Sequence, residues 1–279
     1  MSRIRVVTDS TADMDEGEVQ RFGIRIVPLN VHWNGETQQD KVEISVDEFY
    51  RRLREEKGTP RTSQPSVGQF EEAYGRLLQE ADAILSIHIS SKLSGTLNSA
   101  QVAARNVAPD RITVIDSFTT TAALGAVVLR TARLAQSGAS RVECVSLAEG
   151  LLPRLRLVAC VDTLEFLRRG GRIGRAQALA GNLLAIKLIF QIQGGEVIPV
   201  ERVRTRAAAI RRTADAVSAL GSIEELCVLY GDDPAPGRQL YDMLKVAHPL
   251  LTLQWGRIGP VLGTHTGPGV VGACAIMAS

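Results

Sequence analysis

The sequence predicts an α/β protein with an N-terminal, mostly parallel sheet covered by helices on both faces, and a C-terminal α+β part with antiparallel strands. Short apolar runs alternate four times with helix-like segments over roughly the first 150 residues, a pattern typical of parallel sheets. Two strand-like segments then flank Gly194-Gly195, which indicates an antiparallel hairpin. The length of 279 residues allows one large α/β unit or two domains, and the change of pattern predicts domains at 1–150 and 151–279.

The elements of the first part have separate signals. The apolar run 4–7 leads into a polar turn rich in N-cap residues, which predicts a strand followed by a helix. Ser45 with Glu48, and Ser66 with Gln69, form capping boxes that predict two further helices. We predict strands at 24–31, 83–89 and 112–115, a small-residue helix after Gly95, and an alanine-rich helix at 121–136 that Gly138 ends.

The second part alternates less regularly. We predict strands at 157–161, 186–193, 196–203, 226–230, 250–255 and 270–277, and helices at 162–169, 205–220 and 237–246. The segment between Gly263 and Gly269 is predicted to form a polar, glycine-rich loop before the buried last strand.

The composition excludes several classes of function. The chain is 45% hydrophobic but only 4% aromatic, and its net charge is +2, so neither disorder nor a nucleic-acid partner is expected. Its four cysteines are far apart and form no C-x-x-C pair, which predicts reduced core residues rather than a zinc site or disulfides. Without a secretory apolar segment or an 18-residue apolar run, we expect a soluble, cytoplasmic protein.

Nucleotide and metal motifs are not supported. The string from Gly267 to Gly272 matches G-x-G-x-x-G, but it precedes a strand and lacks the acidic residue that should follow. The chain has no Gly-Lys pair, and no two histidines have metal-ligand spacing. We expect no cofactor and no metal.

Hydroxyl side chains are concentrated where strands end or helices begin. In a parallel sheet these segments meet at one edge, where hydroxyls and free N–H groups of helix starts can bind an anion. Most are ordinary N-caps; Thr62 and Ser94 are preferred because no helix needs them as its cap. The set comprises Thr8, Ser10, Thr11, Thr62, Ser63, Ser90, Ser91, Ser94, Thr96, Ser117 and 119–121.

Two other features are candidates for a site. His265 lies in the predicted loop 263–269, where an imidazole would be accessible. The segment 168–175 has four arginines around three glycines, which suits a phosphate or an acidic partner, and Arg202, Arg204 and Arg206 extend this basic surface. A serine hydrolase using Ser94 and His265 is an alternative, although Lys92 stands where a nucleophile elbow requires glycine.

Five segments together resemble the DegV family of fatty-acid-binding proteins, the acyl-carrying subunits of bacterial fatty acid kinase. They occur in family order and span almost the whole chain: Val7-Thr8-Asp9-Ser10-Thr11-Ala12-Asp13, Arg61-Thr62-Ser63-Gln64-Pro65, Ser90-Ser91-Lys92-Leu93-Ser94-Gly95-Thr96, the segment from Asp162 to Ile173, and Gly263-Thr264-His265-Thr266-Gly267-Pro268-Gly269.

The resemblance implies a lipid carrier that is not itself an enzyme. One long-chain fatty acid would lie in an apolar tunnel between the domains, and a separate ATP-dependent kinase subunit would phosphorylate its carboxylate. It also implies transient contact with a membrane for lipid exchange. The implied carboxylate ligands are Thr62, Ser94, the N–H of Gly95 and His265, with Ser10, Ser63, Thr96 and Thr266 as accessory residues and Arg172 and Arg204 at the phosphate or partner.

One departure from the family pattern is Leu188 after Lys187, where proline is expected; with Gln191 and Gln193 it alters the expected tunnel. The chemistry agrees with a carrier, since neutral hydroxyls can hold a carboxylate without the strong ion pair that would impede its reaction. The alternatives are an acyl-ester hydrolase using Ser94 and His265, and a protein that binds a sugar phosphate or dihydroxyacetone. A closed aliphatic tunnel would contradict the latter.

Overall fold

The computed structural model of the chain describes residues 3–179 and 186–279. Its strands are β1 (Ile4–Asp9), β2 (Arg25–Val27), β3 (Asn30–Trp33), β4 (Glu36–Gln39), β5 (Arg61–Ser63), β6 (Ala83–His88), β7 (Ile112–Asp116), β8 (Leu155–Val161), β9 (Lys187–Gln193), β10 (Glu196–Val203), β11 (Ile223–Tyr230), β12 (Leu253–Arg257) and β13 (Val271–Met277).

The helices cover both faces of the sheets that these strands form. They are α1 (Glu16–Arg21), α2 (Val46–Glu55), α3 (Val67–Leu77), α4 (Thr96–Val107), α5 (Thr121–Gln136), α6 (Arg141–Leu151), α7 (Glu165–Arg169), α8 (Arg206–Ser218), α9 (Pro234–Ala247) and α10 (Pro260–Thr266).

The N-terminal sheet is parallel, with strand order β2-β1-β6-β7, as the sequence predicts. Residues of α5 and α6 pack on one face and residues of α3 and α4 on the other. Because β2 and β6 lie on opposite sides of β1, the order of the sheet reverses between β1 and β6. Ligands of open α/β sheets bind at the carboxyl ends of the strands beside such a reversal.

The predicted strand at 24–31 is wrong in its extent. Residues on either side of Pro28 belong to different sheets: β2 joins the parallel sheet, whereas β3 pairs antiparallel with β4 and β5. Proline has no N–H to donate to a sheet, and the chain changes sheets there. The polar stretch that contains Thr62 is likewise a short strand, β5, in which Thr62 pairs with Val31.

The capping boxes at the helix starts differ from the sequence predictions at α6 and at α2. We did not predict α6, although Ser140 and Glu143 form a complete capping box at its start. The capping box at Ser66 is confirmed. At α2, Ser45 accepts the N–H of Glu48, but the Glu48 carboxylate accepts from Arg51.

The C-terminal sheet has the order β10-β9-β8-β13-β11-β12 and is antiparallel except for the β11–β12 pair. The predicted hairpin is confirmed: Gly194 and Gly195 have φ of 58° and 84°, the left-handed values that this turn requires. Helices α8 and α9 pack on one face. The opposite face lies towards α5 and α10.

Some predicted boundaries need correction. Helix α7 begins at Glu165 rather than at residue 162, and β12 begins at Leu253 rather than at 250. The segment predicted as the loop 263–269 is largely helix α10, which Pro260 begins and Gly267 ends. All four cysteines are free and buried, which confirms their prediction as core residues.

Candidate functional site

An apolar cavity lies between the inner face of the C-terminal sheet and the carboxyl edge of the parallel sheet. Its empty volume is about 830 Å³, including the space at its open mouth. Its walls are mainly aliphatic and include Leu157, Ala159, Ile192, Val197, Leu229 and Val270.

Small side chains in the middle of the sheet help to make this cavity. Phe190, Ala159, Gly272 and Leu229 lie side by side on four neighbouring strands. A Cβ atom on Gly272 would lie 2.5 Å from the Cβ of Ala159, so a larger residue does not fit at this position. The two middle strands of this row therefore carry small residues, and the larger side chains of Phe190 and Leu229 lie on either side of them.

Two polar side chains in the cavity wall contact each other. Thr62 Oγ1 lies 2.8 Å from Nε2 of His265, which joins β5 to α10. Both residues line the cavity. Arg61–Ser63 is held in place by its pairing with β3, and α10 packs against Phe49 and Tyr50 of α2 through Gly263. The polar residues of the lining are Thr62, Ser63, Gln64, Ser94, Thr120, Thr121, Arg172, His265 and Thr266.

His265 is uncharged at neutral pH. Burial, and to a lesser extent the positive charge of Arg172, lowers its pKa to about 4. Its Nδ1 atom is buried and has no hydrogen-bond partner among the described residues. Gly170 packs against this edge of the ring, where a Cβ atom would lie 2.0 Å from Nδ1.

Ser94 lies at the start of α4, next to the cavity. Its Oγ is 2.8 Å from Oγ1 of Thr96 and accepts the Thr96 N–H at 3.3 Å. Gly95 is the N-cap residue, so no side chain of its own caps this helix. The Gln64 amide covers Gly95, where a Cβ atom would lie 2.9 Å from Gln64 Nε2. The first N–H groups of α4 have no partner within the helix and can bind an anion.

Arg172 connects two parts of the site. Its Nε donates to the carbonyl of Leu93 at 3.0 Å and its Nη1 donates to the carbonyl of Gly170 at 2.6 Å. These bonds link the residue before Ser94 to the glycine beside His265. The guanidinium therefore stabilises the local structure through these hydrogen bonds and also places a positive charge at the cavity.

The other sequence-predicted residues lie in different places. Ser63 bonds His32 at 2.8 Å and Thr266 donates to the Leu262 carbonyl at 2.9 Å, and both line the cavity. Ser10 accepts the N–H of Leu29 and is not part of the cavity lining. Arg204 is exposed and is also absent from the lining.

The structure also describes the surroundings of Arg202, Arg206 and Leu188. Arg206 pairs with Asp162, Arg202 is exposed, and Leu188 is fully buried in the core next to the cavity. Gln191 and Gln193 bond to each other at 3.2 Å outside the cavity lining.

The contacts of Ser94 and His265 bear on the hydrolase alternative. Ser94 bonds Thr96, and His265 bonds Thr62, so the described hydrogen bonds do not include a nucleophile–base pair between Ser94 and His265. A hydrolase needs such a pair within hydrogen-bond reach. No observation favours this alternative.

Several residues of the site were not singled out from the sequence. Gln64 lies in one of the five segments that carry the resemblance, but the sequence alone assigns no role to its amide. The cavity walls follow a detectable pattern, since Leu157 with Ala159 and Phe190 with Ile192 are alternate residues of single strands. The pattern indicates one face of a strand, but not that this face borders a cavity.

Residues 3–179 and 186–279 contain no group of three or more His, Cys, Asp or Glu side chains arranged to hold a metal ion. Over the same ranges, no helix has both the length and the hydrophobicity for a membrane crossing.

The fold and the cavity define a class: three-sheet α/β proteins with an aliphatic cavity and a hydroxyl–imidazole pair in its wall. The chain belongs to the DegV family, since the family model, described as an uncharacterised protein family, matches residues 3–278. A DegV domain-containing protein of Deinococcus radiodurans is 39% identical over 277 residues and covers 96% of both chains. Protein DegV of Bacillus subtilis is 33% identical and covers 97% of this chain and 98% of its own length.

Solved structures agree with this assignment. A fatty-acid-binding DegV family protein of Thermus thermophilus superposes with a TM-score of 0.91 at 37% identity, covering 99% of this chain and 100% of the other. The fatty-acid-binding DegV of Bacillus subtilis has a TM-score of 0.90 at 32% identity and covers both chains fully. A stearic-acid-binding protein of Eubacterium ventriosum has a TM-score of 0.90 at 26% identity, covering 99% and 98%.

Proposed function

We propose that this protein binds one long-chain fatty acid, with the tail in the apolar cavity and the carboxylate at Thr62, Ser94, Gly95 and His265. The observation that carries the proposal is the Thr62–His265 pair in the wall of an aliphatic cavity. The structures of related proteins that bind fatty acids support it. The expected division at about residue 150 would place the ligand between two domains.

The tail supplies most of the binding free energy. Burying a methylene contributes about 0.8 kcal/mol, so a chain of about 16 carbons has ample gross affinity even after the entropic costs of binding. The head group then needs only to be oriented. This is why an uncharged head-group site is sufficient.

The hydrogen bonds within the site leave hydroxyl hydrogens available for a carboxylate. We assign the proton of neutral His265 to Nε2, which then donates to Thr62 Oγ1, so that the Thr62 O–H is free to donate to the ligand. In the same way, Ser94 Oγ accepts the N–H of Thr96 and can also accept its O–H. Each hydroxyl accepts from a protein group and donates onward, which strengthens both bonds.

The bound carboxylate would be the substrate of a separate kinase. One carboxylate oxygen attacks the γ-phosphorus of ATP, the bond from that phosphorus to the β,γ-bridging oxygen breaks, and acyl phosphate and ADP result. In this scheme Arg172 faces the new phosphate with the N–H groups it does not use for Leu93 and Gly170. Exposed Arg204 contributes to the partner surface. The lipid is exchanged during transient contact with a membrane.

The binding step is tested with the purified protein. Mass spectrometry of an organic extract should detect a fatty acid, and delipidated protein should bind hexadecanoate more tightly than hexadecanol, which has the same tail without a carboxylate. Absence of any fatty acid together with no binding of hexadecanoate or oleate would refute the proposal. Equal affinity for acid and alcohol would refute the head-group site.

The kinase step needs a second assay. The loaded protein, the ATP-dependent kinase and ATP should yield an acyl phosphate that hydroxylamine traps as a hydroxamate. Free fatty acid at the same concentration is the matched control. Equal yield from free and bound fatty acid would show that the protein does not present the substrate.

A further inference from the structure

Thr120 lines the same cavity but takes no part in the site described above. It occupies the N-cap position of α5, yet its side chain does not cap the helix. Its Oγ1 atom is buried and has no hydrogen-bond partner among the described residues, and the residue is only 7% exposed. A buried hydroxyl without a partner is unusual in a folded protein and calls for an explanation.

The loop around Thr120 is fixed by other bonds. Thr121 has φ of 50°, which is unfavourable for a β-branched residue, and its hydroxyl donates to Oδ2 of Asp13 at 2.8 Å. The Asp13 carboxylate also accepts the N–H of Gly259 at 3.1 Å and pairs with Lys41. These bonds hold the start of α5 against β1 and α10, so the position of Thr120 does not depend on a partner for its own hydroxyl.

The neighbouring hydroxyl of the loop is satisfied internally. Ser117 Oγ donates to the Thr119 carbonyl at 3.3 Å and accepts the Thr119 N–H at 3.2 Å. Thr120 therefore contrasts with Ser117: the Ser117 hydroxyl closes the loop, whereas the Thr120 hydroxyl is buried without a partner in a residue that lines the cavity. The first N–H groups of the 16-residue helix α5 add further donors at this position.

We propose that Thr120 and the start of α5 form a second polar subsite, which binds a hydroxyl or keto oxygen on the chain of the ligand. This inference rests on the proposed function, because the carboxylate of that ligand occupies the Thr62–Ser94 site. The oxygen that Thr120 binds must then be a substituent of the acyl chain. The substrate class is an oxygenated long-chain fatty acid, bound in preference to the unsubstituted acid of the same length.

The test compares stearate with hydroxystearates that carry the hydroxyl at carbon 2, 3, 10 or 12. Dissociation constants are measured for the wild-type protein and for Thr120→Val, which removes the hydroxyl and keeps the side-chain volume. We expect at least one isomer to bind fivefold or more tightly than stearate to the wild type. Thr120→Val should abolish this preference and leave stearate binding unchanged or tighter.

Two further variants serve as controls. Thr120→Ser keeps the hydroxyl and should retain the preference, whereas Ser94→Ala should weaken stearate and hydroxystearate by the same factor. Equal affinity of the wild type for stearate and all four isomers would overturn the subsite but not the proposed function. An equal loss of both ligands in Thr120→Val would place Thr120 at the carboxylate and also overturn the subsite. If the wild type binds neither ligand, the proposed function itself fails.

Discussion

Thr62 Oγ1 lies 2.8 Å from Nε2 of His265, although the two residues are 203 positions apart in the chain. The contact joins a short strand of the N-terminal half to a helix close to the C-terminus. Because His265 is neutral, the pair contributes a hydrogen bond and no charge to the cavity wall. Under the proposed function, this pair would orient the carboxylate of the ligand by hydrogen bonds.

Replacing Thr62 by valine should weaken fatty-acid binding and leave the fold intact. Valine keeps the β-branched shape that suits strand β5 but loses the hydroxyl, which removes one hydrogen bond to a charged group, worth about 1.5–3 kcal/mol, or roughly 10–150-fold in Kd. Isothermal titration with hexadecanoate measures this change. Thr62→Ser keeps the hydroxyl and should bind within a few-fold of the wild type; wild-type affinity in Thr62→Val would contradict the assignment.

Gly170 should be essential for the orientation of His265. In Gly170→Ala the new methyl would lie 2.0 Å from Nδ1, so the ring must move away from Thr62. We expect binding of hexadecanoate to weaken by about tenfold, or about 1.4 kcal/mol.

Gly150→Ala is the matched control for Gly170→Ala. Gly150 lies in α6, and a Cβ atom there meets nothing within 4 Å. This change should leave binding unaltered and raise stability by up to about 1 kcal/mol, the helix preference of alanine over glycine. A similar affinity in both variants would show that the Gly170–His265 contact is unimportant for binding.

Three residues that the sequence proposes for the site line the cavity, but their contacts with one another were not predicted. Thr62, Ser94 and His265 were recognisable because they belong to short contiguous segments. Their contacts depend on how β5, α4 and α10 pack, and no local pattern encodes a contact across 203 residues. This is why Ser94 with His265 could be considered as a pair, whereas the structure bonds each of them to a different hydroxyl.

The parallel sheet and the Gly194-Gly195 hairpin were predictable because they follow from local periodicity and turn chemistry. The separation of β2 from β3 was not predicted, although Pro28 interrupts the apolar run and was a usable signal. The cavity could not be predicted, since its lining residues come from distant parts of the chain and meet only when the sheets pack together.

Two buried groups should give opposing effects on stability between pH 4.5 and 6. Burial lowers the pKa of His265 to about 4, so in this range the unfolded chain binds the extra proton and stability falls as the pH falls. Burial raises the pKa of Asp40 to about 6, although the positive charge of Lys41 acts in the opposite direction. The folded chain then binds the extra proton, and stability rises as the pH falls.

Single variants should separate these two effects. His265→Gln removes the first, so its free energy of unfolding relative to the wild type should increase from pH 6 to 4.5. Asp40→Asn removes the second and should show a decrease relative to the wild type over the same range, each difference amounting to about 1–2 kcal/mol within the window. Urea unfolding at intervals of half a pH unit measures the three slopes, and a change of the same sign relative to the wild type in both variants would show that at least one pKa has been assigned in the wrong direction.

Ala159→Leu should abolish fatty-acid binding without destabilising the empty protein. Ala159 lines the cavity, and a leucine at this position extends into empty space, so the loss of stability should stay below about 1 kcal/mol. A ligand that binds only the folded state raises its Tm, so hexadecanoate should raise the Tm of the wild type and not that of the variant. Ala273→Leu is the control, because Ala273 packs on the opposite face of the same sheet against α8 and α9. Overpacking there should cost about 1–3 kcal/mol while the ligand-induced rise in Tm remains. If Ala159→Leu keeps that rise, the tail of the fatty acid lies elsewhere than in this cavity.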